Sequence, residues 1–257
     1  MRVALVQEAS DLDPAVNRDR LAARVAEVGP AVDLVVLPEV FARDFGKAGS
    51  DVAQHAETLE GPFVTAAVAA AGTAGTTVVA GMFERSDDPG RPFNTLVVVD
   101  GGGVRASYRK IHLYDSFGYR ESDRLLAGPT APVTVEVAGF RLGLLTCYDL
   151  RFPELARALV VDHGAEVLVC PAAWVAGEGK VRHWSTLAAA RAIENTAYVA
   201  ATGQPAPRYS GHSVLLDPLG AVLAEAGADA EVLVGEVERS VLDEARRTNP
   251  SLANRRL

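Results

Sequence analysis

Three short stretches set reactive side chains beside apolar runs: Glu39 in "VDLVVLPEV", Lys110 in "SYRKIHLYD" and Cys147 in "LLTCYDLRFPE". A cysteine acts as a nucleophile when a base, a cation or a helix N-terminus favours its thiolate. Cys147 follows the strand-like run "FRLGLLT" and precedes a helix opening at Pro153, so it sits in a turn that exposes a side chain and aims backbone N–H groups into the same space. Glu39 follows an apolar run and Pro38, at the carboxyl end of a strand, where open α/β sheets place their functional groups. If the three ends converge, Glu39 takes the thiol proton, Cys147 attacks a carbonyl or nitrile carbon, and Lys110 stabilises the developing negative charge. Spacing permits this convergence without requiring it.

Each residue also has a structural reading: a packed thiol, a solvated loop glutamate, a lysine lying along apolar surface. Composition adds weight to Lys110. Lys47, Lys110 and Lys180 are the only lysines among 25 basic residues, so an ordinary surface cation in this chain is expected to be arginine. Cys170, inside "EVLVCP", reads as a core thiol. His55, His112, His163, His183 and His212 lack HxxxH or HExxH spacing, so a zinc site is not expected and the histidines read as structural.

The elements that must position these residues can be read from the residue pattern. At 257 residues, 49% hydrophobic and 23% charged, the chain is expected to form one soluble domain, 1–257, with a sizeable core. The net charge of -8 is spread without a basic stripe, which argues against nucleic acid and for a small-molecule substrate. No apolar run nears the roughly 18 residues that span a bilayer. "MRVALVQEAS" lacks a cleavage-site pattern, so a cytoplasmic protein with reduced thiols is expected. Strands "RVALVQ", "VDLVVLPE" and "TTVVAGMFE" alternate with helices "PAVNRDRLAARVAEV" and "FVTAAVAAAGTAG"; a hairpin comes next over "FNTLVVVD" and "GVRASYRK". Residues 111–132 read as a long functional loop, strands and helices then alternate again, and a meander through "GHSVLLDPLGAVLAEAG" and "AEVLVGEVE" leads to a short helix from Arg239. So many apolar strands need burial on both faces. Two sheets packed together with helices outside, a four-layer α-β-β-α sandwich, achieve it.

"LPEVF", "YRKIHLYD" and "TCYDLRFPE", in this order, resemble the nitrilase superfamily of carbon-nitrogen hydrolases, and the likeness continues through "CPAAW" and "HWSTLAAARAIEN" to the "NPSLANRRL" end. The resemblance implies an α-β-β-α fold paired with a second subunit, as a homodimer or higher homo-oligomer. It implies Cys147 as nucleophile, Glu39 as general base, Lys110 as charge stabiliser and Glu121, in "FGYRES", as the glutamate that holds the lysine. The backbone N–H of Tyr148 would join Lys110 in stabilising the tetrahedral species. No metal or organic cofactor is implied. "CYDLRFPE" in place of Cys-Trp-Glu resembles the branch of omega-amidases and deaminated glutathione amidases, whose substrates carry a carboxylate. Arg43, Arg151 and Arg208 are candidates for binding that carboxylate, although Arg151 reads more readily as an ion-pair partner of Asp149 or Glu154. Tyr114, Tyr148 and Trp174 are candidates for the pocket wall. N-carbamoyl amino acid or nitrile hydrolysis, acyl transfer, and a non-catalytic interaction protein are the rival readings.

Overall fold

Alternation along the first strands gives one sheet two apolar faces. In the computed structural model, which describes residues 1–47 and 49–256, β1 (Arg2–Gln7), α1 (Pro14–Val28), β2 (Leu34–Val36), α2 (Pro62–Ala74), β3 (Thr77–Glu84), β4 (Phe93–Asp100) and β5 (Gly103–Arg109) form the first half. Val3, Leu5, Leu34, Val36, Val79 and Leu96 enter one apolar cluster; Ala4, Val6, Val35, Val78, Ala80 and Val97 enter another. Neighbouring residues of a strand face opposite sides, so both faces need a cover. Helices α1 and α2 cover one through Leu21, Val25, Phe63 and Ala67. Asp13 caps α1 by accepting from the Ala15 N–H at 2.8 Å.

The other face meets a second sheet. After the small hairpin β6 (Asp115–Ser116) and β7 (Tyr119–Arg120), the chain forms β8 (Thr134–Val137), β9 (Phe140–Leu144), α3 (Pro153–Val161), β10 (Val167–Ala172), α4 (Lys180–Asn195), β11 (Tyr198–Gly203), β12 (Val214–Leu216), β13 (Val222–Glu225), β14 (Glu231–Glu236) and α5 (Arg239–Thr248). The sheet orders are β14-β1-β2-β3-β4-β5 and β13-β12-β11-β10-β9-β8. Leu155, Leu159, Trp184 and Ala188 of α3 and α4 join the cluster that contains the second sheet. The expected four-layer α-β-β-α sandwich is therefore the observed fold.

Strand direction decides which chain ends can meet. β1, β2 and β3 are parallel, and two antiparallel pairings return β5 to their direction. β9, β10 and β11 are parallel to one another. Three details differ from the sequence reading. The β2 strand stops at Val36, leaving Leu37–Glu39 to turn; the long loop holds the β6–β7 hairpin; and β14 leaves the meander to pair with β1 in the other sheet. That pairing gives the backbone groups of β1 partners that an edge strand would lack. Among the described residues no helix is long and apolar enough to cross a membrane.

Candidate active site

Glu39 stands on a turn fixed by both sheets. Gly81 of β3 donates its N–H to the Pro38 carbonyl at 3.3 Å and accepts from the Ala42 N–H at 3.0 Å. A Cβ at residue 81 would lie 2.2 Å from the Val40 nitrogen, so only glycine lets the turn come this close. Val40 itself has φ +48°, a left-handed conformation that costs a β-branched residue about 1–3 kcal/mol. From the second sheet, Gln204, just past β11, donates its Nε2 to the Glu39 carbonyl at 3.0 Å.

The carboxylate is held as firmly as its backbone. Glu39 Oε1 accepts from Asn94 Nδ2 at 2.7 Å and Lys110 Nζ at 3.0 Å, and Oε2 accepts from the Ala173 N–H at 2.6 Å. Lys110 is one residue past β5 and fully buried; its ammonium also reaches Glu121 Oε2 at 2.9 Å. Glu121 is fixed by the Tyr114 N–H at 2.6 Å. Burial pulls the Lys110 ammonium down, but the charges of Glu121 and Glu39 outweigh it and hold it well above the usual lysine value. Burial also raises Glu121, against the pull of Lys110 and with the repulsion of Glu39.

Cys147 follows β9 with φ +47° and begins a 3-10 turn over Cys147–Arg151. Asp149 anchors that turn. Its Oδ2 accepts from the Thr146 N–H at 2.9 Å and the Tyr108 hydroxyl at 2.6 Å, and its Oδ1 accepts from the His112 N–H at 3.1 Å. His112 Nδ1 lies 2.7 Å from the same Oδ1, and because a carboxylate only accepts, this nitrogen carries the proton. The imidazole stacks on Phe152 with ring centroids 3.8 Å apart, the structural role expected for it. The Cys147 thiol is pushed well above its usual value by burial and then by the Glu39 charge, with Lys110 opposing. At neutral pH the thiol is therefore protonated until a base removes its proton. At the second position of the 3-10 turn, the Tyr148 N–H is among those a helix start leaves without an intrahelical partner.

These groups open onto one cavity of about 410 Å³, with Glu39, Lys110, Glu121 and Cys147 on its wall. Tyr114, Tyr148, Trp174, Arg151 and Arg208 also reach it, as does Lys180, which sequence reasoning did not select. Arg43 is not brought there: four residues past Glu39, it is buried and donates its Nη1 to the Asp44 carbonyl at 2.8 Å. Arg208 is engaged by Asp44, 2.7 Å from its Oδ1. Arg151 forms no ion pair with Asp149 or Glu154, contrary to the structural reading, because Asp149 is taken up by Tyr108, Thr146 and His112. Its guanidinium lies 4.7 Å from the centroid of Trp174, with Nε and Nη2 buried and meeting no acceptor. Left permanently unpaired, such buried donors each cost about 1–3 kcal/mol. Cys170 is fully buried between the sheets, away from the cavity wall, and burial and then the Asp149 charge push its thiol up.

Sequence reasoning also missed Asn94, Asp149 and Gln204. A buried asparagine in "FNTLVVVD" was the one visible signal, since a polar residue inside an apolar strand needs a partner.

Residues 2–247 match the carbon-nitrogen hydrolase family. The deaminated glutathione amidase of Escherichia coli O157:H7 is 42% identical over 226 residues, 88% of this chain and 85% of that protein. XC1258 of Xanthomonas campestris, a CN-hydrolase superfamily protein solved with an arsenic adduct in its active site, is 30% identical with a TM-score of 0.90 over 100% of this chain and 97% of that one. An amidase of Nesterenkonia sp. AN1, solved with acrylamide added to its active-site cysteine, is 31% identical with a TM-score of 0.77 over 98% of this chain and 99% of that one. With strand ends, cavity and family match in agreement, this chain belongs to the carbon-nitrogen hydrolases of the nitrilase superfamily and is an amide-hydrolysing enzyme.

Proposed function

We propose that the chain hydrolyses small linear amides through a thioester on Cys147, releasing ammonia. The observation that carries this reading is the meeting of Glu39, Lys110 and Cys147 on one cavity wall, with Glu39 and Lys110 bonded at 3.0 Å. Glu39 removes the thiol proton as sulfur attacks the amide carbon. The oxygen of the tetrahedral species takes up negative charge, and Lys110 and the Tyr148 N–H stabilise it. The C–N bond then breaks, the proton held by Glu39 passes to the leaving nitrogen, and ammonia departs from an acyl-thioester. Glu39 next takes a proton from water, whose oxygen attacks the thioester; the C–S bond breaks, and the carboxylic acid leaves as the thiol regains its proton. Glu121 keeps Lys110 charged and in place. Amides are favoured over nitriles because similar proteins are named as amidases.

The test is ammonia release from succinamate. Cys147→Ala is expected to lose at least about a thousandfold in turnover with its fold intact, and Cys170→Ala to retain it within about threefold, because Cys170 is packed away from the cavity. Turnover surviving in Cys147→Ala would sink the assignment.

Two copies are proposed to associate. Ile193, Leu219, Val222 and Leu223 are each 46–55% exposed, and the Leu219–Gly220 turn packs against Ile193, which supports one contiguous apolar patch. A thiol that must stay reduced supports a cytoplasmic setting.

A further inference from the structure

Asn94 enters no step of the proposed reaction and does not line the cavity, yet it meets three of the residues that do. It is the second residue of β4, which runs between β3 and β5, and it pairs with Phe83 on the β3 side. On the β5 side its carbonyl accepts from the Lys110 N–H at 2.8 Å. The side chain is fully buried. Its Nδ2 donates to Glu39 Oε1 at 2.7 Å and reaches Glu121 Oε1 at 3.5 Å, the outer limit of a hydrogen bond. Carboxylates only accept, so the atom facing them is the nitrogen. One residue thus holds the lysine through its backbone and both glutamates through its side chain.

The other end of the same amide is idle. Asn94 Oδ1 is buried and meets no donor among the described residues. An unpartnered buried acceptor is costly, and an amide kept inside an apolar strand for stability alone should satisfy both ends. Here only the donor is used, and both of its acceptors are glutamates of the site. Electrostatics supply the reason: Glu39 and Glu121 are two buried carboxylates facing one ammonium, Lys110. Lys110 Nζ and Asn94 Nδ2 share the same two oxygens, Glu39 Oε1 and Glu121 Oε1. A second cation at this place would cancel the charge that makes a carboxylate a base. A neutral donor fixes the oxygens and leaves that charge in place.

We propose that Asn94 is a positioning residue for the hydrolysis, holding Glu39 and Glu121 against the Lys110 ammonium so that Glu39 is aligned to take the Cys147 proton. The assignment rests on the amidase reading, in which Glu39 is the base. The titratable groups facing the amide are Glu39, Glu121 and Lys110, and Cys147 feels the charge of all three. A carboxylate that loses a neutral donor takes up its proton at higher pH, so a change at residue 94 is read in the pH dependence of turnover and not in substrate binding.

The experiment measures kcat and KM for succinamate from about pH 5 to about pH 9 in the wild type, Asn94→Leu and Asn94→Asp, with folding followed by circular dichroism. The burst of p-nitrophenolate from p-nitrophenyl acetate is recorded for each protein as well. Leucine keeps the approximate shape and removes the donor; aspartate keeps the shape and donates only when protonated. In Asn94→Leu, kcat is expected to fall at least about twentyfold with KM changed less than threefold, and the acid limb of the kcat profile to move to higher pH. In Asn94→Asp, activity as a fraction of the wild type should rise at least about fivefold from the alkaline to the acid end, as the new carboxyl becomes a donor. The burst should slow in both at neutral pH, since acylation by the ester needs the same proton transfer. A kcat within threefold of the wild type in folded Asn94→Leu, or a loss in both variants that is the same at every pH, would overturn the assignment and leave Asn94 a structural residue. Should Asn94→Leu fail to fold, Asn94→Asp carries the comparison through its pH dependence. If the wild type releases no ammonia from succinamate but the burst still slows in the two variants, the amidase reading fails and the positioning role stands.

Discussion

Glu39 and Lys110 act on the Cys147 thiol in opposite directions. Burial and then the Glu39 carboxylate raise the thiol while Lys110 lowers it, so one of the causes that keep the resting thiol protonated is also the group proposed to deprotonate it. Glu39→Gln separates these effects. Turnover should fall at least about a hundredfold with the loss of the base. Alkylation of Cys147 by iodoacetamide should instead quicken at neutral pH, because one charge that raised the thiol is gone while Lys110 still lowers it. The sign is open to direct measurement: a rate–pH profile displaced toward lower pH supports this account, and one displaced upward contradicts it. Glycine at 81 and the left-handed backbone of Val40 and Cys147 belong to the same scale, since each accepts a local restriction so that one side chain can reach the cavity.

The end of β5 faces two ways. Tyr108 and His112 turn to Asp149 while Lys110, between them, turns to Glu39 and Glu121. Asp149 in turn belongs to the segment that carries Cys147, so one buried carboxylate ties the strand end that bears Lys110 to the turn that bears Cys147. Asp149→Asn substitutes an N–H₂ for one oxygen in a site where every neighbour donates. It should destabilise the fold by about 2–4 kcal/mol in urea unfolding. It should also lower kcat more than it raises KM, because the thiol shifts relative to Lys110. An equal loss in unfolding free energy with unchanged kcat would show that the tie is structural alone.

For the whole molecule, the site depends on two sheets whose parallel strands end together. Glu39 and Lys110 come from the first sheet, and Cys147, Ala173 and Gln204 from the second. The proposed association belongs at this scale too, because its patch joins the end of α4 to the β12–β13 turn and β13. Sedimentation velocity should find a dimer, and Ile193→Asp with Val222→Asp should yield monomers; a wild type that sediments as a single chain would dismiss the patch as an interface.

Much of this was legible in the residues. Continuous apolar runs in the strands and the amphipathic pattern of α1, opened by Asp13 and Pro14, set the elements, because local side-chain contacts and backbone preference act within a few residues of chain. The motifs around Glu39, Lys110 and Cys147 pointed to the chemistry through their resemblance to the nitrilase superfamily, while the side-chain types alone left structural readings open. Lysine scarcity pointed to Lys110, and the same signal applied equally to Lys180, which the sequence reading did not use. The sequence could not tell that Arg43 turns away, that Arg151 lacks a carboxylate partner, or that β14 crosses to β1. Side-chain direction after a turn, and the pairing of strands more than 200 residues apart, depend on which surfaces meet once the two sheets pack. Only the tertiary structure, by bringing distant strand ends onto one cavity wall, decided which charges there are neutralised and which are left without a carboxylate partner.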